Sequence, residues 1–480
     1  MAIEDGAWEP VIGLEVHAQL LTRTKLFCGC TTSFGDPPNT HVCPTCLGLP
    51  GALPTLNARA VELAIRAGLA LGCEIERRSV FARKSYFYPD SPKGYQITQY
   101  ELPYARHGKL ALGTGEIVRI LRIHMEEDAG KSVHTAGGAS RVDLNRAGTP
   151  LVEIVSEPDL RSAEGASDYL KRLRDVLMFV GANDGNLEQG NFRCDANVSV
   201  RRRGEEKLGV RVELKNINSF RFVEEAIDVE IRRQIAELEG GRALRQSTRG
   251  YNAETRSTYL LRDKENDAGY RYFPDPDLLP LEVSSARIAE IAAALPPLPE
   301  ARRARYTTEL GLTEYAAGVL TSHPAIATFF EDALRAGADA ARAANFIQAE
   351  VLRDAKLRGV DAEMPIGPAQ LAALLALVDA GTISGKQAKE VYAKLVGTTK
   401  APADVVADLG LAMMSDEGAL RATVQRVLDA NAKQVASYRA GKTQLFGFFI
   451  GQVMKETKGS ANPALANELV KRALDQKGEA

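Results

Sequence analysis

The sequence predicts an α+β fold, with an antiparallel sheet in roughly the first 295 residues and helices in the remainder. Three observations predict it. Short runs of alternating polar and apolar residues, separated by Gly, Pro and Asn turns, dominate the first part. The composition then changes at LPPLPE (295–300), a stiff punctuation mark. Beyond it Ala, Leu, Glu, Lys and Arg recur with a helical period, as in AQLAALLALVDAG (369–381). The expected domains are 1–295, 296–407 and 408–480.

The first strand is VIGLEVHAQL (11–20). Ile12, Leu14, Val16, Ala18 and Leu20 share one face, and Glu15, His17 and Gln19 the other. RCDANVSVR (193–201) puts Arg193, Asp195 and Arg201 on one face, and VRVELKN (210–216) does the same with Arg211, Glu213 and Lys215. The turn-like RRGEEKLG between them makes the two runs an antiparallel hairpin. Helical spacing appears at 55–72, 162–180 and 219–239, the last starting at Ser219 as N-cap.

The bulk numbers exclude little but help. A chain of 480 residues with 45% hydrophobic and 25% charged residues is ordinary for a globular protein of about three domains. There is no run of about 18 apolar residues, so no membrane span is expected. The acidic start MAIEDGAWEP lacks a signal pattern, which favours a cytoplasmic address. The last fifty residues are locally basic, with Lys433, Arg439, Lys442, Lys455, Lys458, Lys471, Arg472 and Lys477 against Glu456, Glu468, Asp475 and Glu479.

Two groups of residues carry chemistry. Cys28 and Cys30 form one close pair, and Cys43 and Cys46 another. Four thiolates on two short loops suit a tetrahedral Zn²⁺, and with every position taken the metal would be structural. Redox or unligated thiols are the competing reading; for Cys73 and Cys194 it is simple burial. The second group is acidic. Glu15 and His17 project from one strand face, and Glu126, Glu127, Asp128, Glu153 and Glu157 follow later. Converging carboxylates suit Mg²⁺ and, through it, nucleotide phosphates; the alternative is pairing with local Arg and Lys. Arg193, Arg201, Arg211 and Lys215 would add positive charge around a transferring phosphoryl group. The sequence has no Gly-x-x-x-x-Gly-Lys run and no dinucleotide Gly fingerprint, which disfavours a parallel-sheet nucleotide fold. Residue 2 is Ala and no Gly/Ser-rich amidase-like stretch occurs, so a glutaminase nucleophile is missing.

Taken together, VIGLEVHAQL, the CGC…CPTCLGLPGALP cluster, KSYFYPDSPKGYQITQY, HMEEDAGK, DLNRAGTPLVEIVSEPD, RCDANVSVR, VELKNINSFRFVEEAI, GYRYFPDPDLLPL and GFFIGQVMKETKGSANP resemble the B-subunit family of bacterial aspartyl/glutamyl-tRNA amidotransferases. They run in order over nearly the whole chain. The resemblance implies a glutamine synthetase-like cradle domain, a helical domain and a tail that grips tRNA. It implies ATP-dependent phosphorylation of the side-chain carboxylate of Glu or Asp on a mischarged Glu-tRNA(Gln) or Asp-tRNA(Asn). Ammonia from an amidase-type glutaminase partner, the A subunit, would arrive through a tunnel, with a small C subunit completing a heterotrimer. By the same resemblance Mg²⁺ falls to Glu15, His17, Glu127 and Glu153, with Glu126 as the substitute for Glu127. Asp195 and Glu213 would serve a second ion or ATP, and Lys84 and Lys93 would stand near the tunnel mouth.

Overall fold

The structure is a computed structural model. It describes residues 6–134, 138–217, 219–263, 269–358, 363–411, 417–457 and 461–475. Of the basic tail, Lys458, Lys477 and Glu479 lie outside the described residues. The chain forms two compact units, Met1–Pro299 and Glu300–Ala480.

The first unit is built on a twelve-stranded sheet. Its centre is strand β1 (Trp8–Gln19), flanked by β3 (Pro150–Ser156) and β4 (Phe192–Arg202). Beyond β3 lies β2 (Ile117–Glu127), and beyond β4 lies β5 (Val212–Ile217). These pairs are all antiparallel. The expected hairpin is present, β4 joined to β5. One pair departs from the antiparallel expectation: Ser247–Asn252 runs parallel to β5. The reason is topological. Helix α3 (Phe220–Glu239) carries the chain back across the sheet, and such a crossover delivers a strand in the same direction.

Alternation assigns the two faces. Ile12, Leu14, Val16 and Ala18 are at most 1% exposed. They share one core with side chains of α1 (Ala58–Ala70), α2 (Ala163–Phe179) and α3, such as Leu63, Leu170 and Ile227. Burying each such aliphatic side chain contributes about 1.5–3 kcal/mol. The helices begin where their caps allow: Asn57, Ser162 and Ser219 each accept a hydrogen bond from a first-turn amide. With helices covering one face, the polar residues of β1 are left on the other.

The second unit is helical in its described residues and holds two separate hydrophobic clusters. One gathers residues from Tyr306 to Val406, and the other from Leu420 to Leu474. Among the described residues no helix is long and apolar enough to cross a membrane.

Gly209 closes the β4–β5 hairpin. A Cβ placed there would collide with the carbonyl oxygen of Val200, a backbone atom that cannot rotate away. Gly209→Ala is expected to destabilise the first unit by about 1–3 kcal/mol, the usual cost of overpacking. A urea midpoint equal to wild type, with an unchanged m-value, would contradict this.

Candidate active site

The register of the sheet brings the ionisable side chains together. His17 lies opposite Glu153 on one side and Arg193 on the other, and Glu153 in turn lies opposite His124. One row across four strands therefore reads His124, Glu153, His17, Arg193. In the next row Glu15 faces Asp195. Neither row could form if any strand slipped by one residue, because a slip turns every side chain to the other face.

His17 is the hub. Its Nε2 stands 3.3 Å from Glu153 Oε2, 3.5 Å from Glu126 Oε1 and 4.0 Å from Glu15 Oε1. Burial disfavours the imidazolium, but its hydrogen bond to Glu153 and the charges of Glu153 and Glu126 outweigh that and raise the pKa to about 9. Glu153 is pulled the other way: burial would raise its pKa, yet His124 and His17 hold it below the usual carboxylate range. Glu15 is raised by burial and by the charge of Glu153. Glu126 is buried, and its Oε2 has no hydrogen-bond partner. That oxygen pairs only loosely with His124 Nε2, 3.7 Å away. A buried, unsatisfied carboxylate oxygen beside other acids is a place where a cation fits. The ligand atoms of His17, Glu126 and Glu153 lie within 4.8 Å of one another, as do those of Glu15, His17 and Asp195.

The β4–β5 side adds a second charge pair. Lys215 Nζ donates to Asp195 Oδ2 at 2.6 Å and lies 3.2 Å from Glu213 Oε1. Burial works against the ammonium, but Asp195 and Glu213 keep its pKa above the ordinary lysine value. The pairing of β4 and β5 shifts between Cys194 and Ala196, and Asn216 takes φ +61° opposite that shift. This bulge re-aims the chain so that Lys215 and Asn216 both line the cleft. The cleft has a volume of about 520 Å³ and is bounded by Glu15, His17, Glu126, Glu153, Arg193 and Asp195, among others.

Several residues expected at this place are elsewhere. Glu127 and Lys93 do line the cleft, but there the Glu127 carboxylate pairs with Lys93 and accepts from the Ile97 amide at 2.9 Å. Glu126, the expected substitute, is the one of the two that stands within 3.5 Å of His17 Nε2. Arg201 is six residues beyond Asp195, about 20 Å along the strand. It is bound to Glu9, 2.6 Å from its Nη2. Arg211 is exposed, and Glu213 accepts from Thr248 Oγ1 at 3.0 Å behind Lys215. Neither lines the cleft; Lys84 does, beside Tyr270. Glu157 is set apart too, beyond the shift between Val155 and Ser156.

The sequence pattern passed over His124 and grouped Asp128 with the acids suited to Mg²⁺. His124 stands two residues before Glu126, so strand parity could have placed it. Asp128 is buried and acts as an anchor. It lies 3.1 Å from Arg193 Nη2 and 3.6 Å from Arg146 Nε, and it accepts from Gln19 Nε2 at 2.9 Å. Burial would raise its pKa, but the two guanidinium groups lower it.

The four cysteines form a separate cluster. Their sulfurs lie within 4.8 Å of one another. About 2.3 Å Zn–S bonds would set neighbouring sulfurs roughly 3.8 Å apart, so a tetrahedral ion fits. Lys25, which the sequence did not single out, is 1% exposed beside them. Its Nζ donates to His41 O at 2.6 Å and Leu144 O at 3.3 Å, and lies 3.7 Å from Cys46 Sγ. A hydrogen bond from Cys28, together with Lys25, lowers the Cys46 thiol to about 4. Cys73 and Cys194 are buried away from this cluster.

Comparison with known proteins gives the same outline. Residues 10–289 match the model of the GatB/GatE catalytic domain, and residues 328–474 match the GatB domain. Among curated relatives, the aspartyl/glutamyl-tRNA(Asn/Gln) amidotransferase B subunit of Anaeromyxobacter sp. strain Fw109-5 is 57% identical over 477 residues, 97% of this chain and 99% of its own. The protein of the same name from Myxococcus xanthus is 53% identical over 472 residues, covering 97% and 98%. That of Geobacter sulfurreducens is 53% identical over 475 residues, covering 97% and 99%. With a catalytic-domain match over more than half its length and relatives this similar end to end, the chain belongs to the family of aspartyl/glutamyl-tRNA(Asn/Gln) amidotransferase B subunits.

Proposed function

We propose that this chain is the activating and amidating subunit for Glu on Glu-tRNA(Gln), Asp on Asp-tRNA(Asn), or both. The observation that carries the reading is the convergence of Glu15, Glu126, Glu153 and Asp195 around His17 in a family member. The chemistry needs activation because a carboxylate is a poor electrophile. An oxygen of the side-chain carboxylate attacks the γ-phosphorus of ATP, and ADP leaves. Ammonia then adds to the acyl carbon, and phosphate leaves with the carboxylate oxygen. Mg²⁺ would be held by Glu126, Glu153 and His17, with Glu15 and Asp195 toward a second ion, and would supply positive charge beside the transferring phosphoryl group. The protein's own part is placement and charge. Arg193 and Arg146, braced by Asp128, present guanidinium groups to the cleft, and Lys215 is held against it by Asp195.

The mainly antiparallel sheet with acids on its open face supports reading the first unit as a glutamine synthetase-like cradle. The two hydrophobic clusters of the second unit support a division into a helical domain, 296–407, and a tail, 408–480. Lys433, Arg439, Lys442, Lys455, Lys471 and Arg472 are exposed on that tail, which supports a tRNA-phosphate contact there. Ammonia would come from an amidase-type glutaminase partner, braced by a small third polypeptide, with Lys84 and Lys93 near its entry. The cysteine cluster would hold a structural Zn²⁺.

Two outcomes follow. Glu15→Gln and Glu153→Gln should keep the fold and tRNA binding while tRNA-dependent ADP release falls by about 10²–10³, the usual loss for one group in a charge-stabilising site. Added Mg²⁺ should recover part of it. Near-normal ADP release by both variants at low Mg²⁺ would make these acids structural. The purified chain should also carry about one zinc, and Cys43→Ser with Cys46→Ser should lose it and unfold at lower urea. Freshly prepared protein free of metal, together with a fully stable double variant, would contradict the zinc assignment.

A further inference from the structure

Arg122 stands two residues before His124 on β2, so Arg122, His124 and Glu126 share one face of that strand. It is not one of the residues that bound the cleft. Its Nη2 lies 3.9 Å from Glu153 Oε1, and Glu153 is its only ion-pair partner among the described residues. Its Nε is buried and has no hydrogen-bond partner. A buried donor left unmade costs stability, and a place beside the acid row is a reason for the fold to keep it.

Glu153 has three cationic neighbours on its two oxygens. Its Oε2 faces His17 Nε2 at 3.3 Å and His124 Nε2 at 3.6 Å, and its Oε1 faces Arg122. The terminal torsion of a glutamate is soft, so a carboxylate held at one oxygen alone can turn about its last bond. A cation at the second oxygen removes that freedom.

Aromatic rings hold Arg122 in turn. Its guanidinium carbon sits 4.7 Å from the centre of the Tyr100 ring. Tyr100 stacks on Tyr272, with ring centres 4.6 Å apart and planes 12° from parallel. Tyr272 belongs to a strap, residues 270–277, that is fixed to the sheet edge along its length. Phe273 and Pro274 pair with Arg83 and Ala82. The Ser85 amide donates to the Tyr270 carbonyl at 2.8 Å, and the Asp275 amide donates to the Phe81 carbonyl at 2.9 Å. The Arg83 guanidinium donates to Asp275 Oδ2 at 2.8 Å and to Asp277 Oδ2 at 2.7 Å. The strap also lies within the field of the acids: burial and Tyr100, then the charges of Glu153 and Glu126, raise the Tyr272 phenol above its ordinary value.

We propose that Arg122 is a positioning residue for the amidation reaction: clamped by Tyr100 and by Tyr272 of the strap, it fixes the orientation of the Glu153 carboxylate in the row with His17 and His124. The inference rests on the amidotransferase reading. It adds a residue outside the cleft, and a segment at the sheet edge, to what the acid row needs in order to work.

The test is a double-mutant cycle on the full chain, supplied with ATP, free ammonia and mischarged tRNA. Arg122→Gln should lower kcat by about 10–100-fold, the usual scale for a group that orients an active-site ligand, and leave KM for the tRNA unchanged. Tyr272→Leu should move kcat the same way, whereas Tyr272→Phe, which keeps the ring, should stay at the wild-type level. In a Glu153→Gln background Arg122→Gln should cost almost nothing further, because the carboxylate it orients is gone. An equal cost in both backgrounds would mean that Arg122 acts independently of Glu153 and would overturn the proposal. A wild-type kcat for Arg122→Gln would overturn it too. Should urea unfolding show that Arg122→Gln does not fold, Tyr272→Leu takes its place in the cycle with the same two outcomes. If wild type amidates mischarged tRNA while the cycle fails, the amidotransferase reading survives and this inference alone falls; if wild type does not amidate, both fall together.

Discussion

Four carboxylates are held close together on the open face of one sheet, and the rest of the first unit exists to make that arrangement tolerable. Two like charges about 4 Å apart repel by roughly 4 kcal/mol at an effective dielectric of 20. The protein offsets this with cations placed by strand register. His17 touches Glu15, Glu126 and Glu153, His124 stands behind two of them, and Lys215 holds Asp195. The compensation is incomplete at Glu126, where a buried oxygen lacks a hydrogen-bond partner and has His124 Nε2 only at 3.7 Å. That residual demand for positive charge is what supports the proposed phosphoryl chemistry.

The helical layer serves the same end. Because α1, α2 and α3 cover the apolar face of β1, the strand has a fixed parity, and Glu15 and His17 cannot turn inward. Much of this was legible in the residues alone. Alternation in VIGLEVHAQL and RCDANVSVR gave the faces, and the turn between residues 201 and 210 gave the hairpin. Register was not legible, because alternation fixes parity within a strand but not the partner across it. That is why Glu126 and Glu127 both stood as candidates beside His17, and why His124 went unremarked. Reach was missed for a related reason. Arg201 shares a face with Asp195, yet six residues of extended chain carry it to Glu9. The β4–β5 bulge at Asn216 was equally hidden, since it follows from a mismatch between two strands and not from either one.

The cysteine cluster borders the site, since Cys46 lines the cleft. Lys25 ties it together: one ammonium, buried almost completely, bonds to the chain before Cys43 and to the chain at Leu144, and lies against Cys46. Leu144 begins the loop that presents Arg146. A tetrathiolate centre would carry net negative charge, so a buried lysine beside it is electrostatically sensible, and the same lysine ties the cluster to the loop that presents Arg146 to the cleft.

The central claim is that the acid-rich face activates a carboxylate by phosphoryl transfer before ammonia arrives. The most direct measurement supplies the chain with ATP, free ammonia and a mischarged tRNA whose side-chain carboxylate oxygens are ¹⁸O-labelled, and follows the label into inorganic phosphate. The account predicts one labelled oxygen in phosphate for each amide formed. Amide formation accompanied by unlabelled phosphate would contradict it.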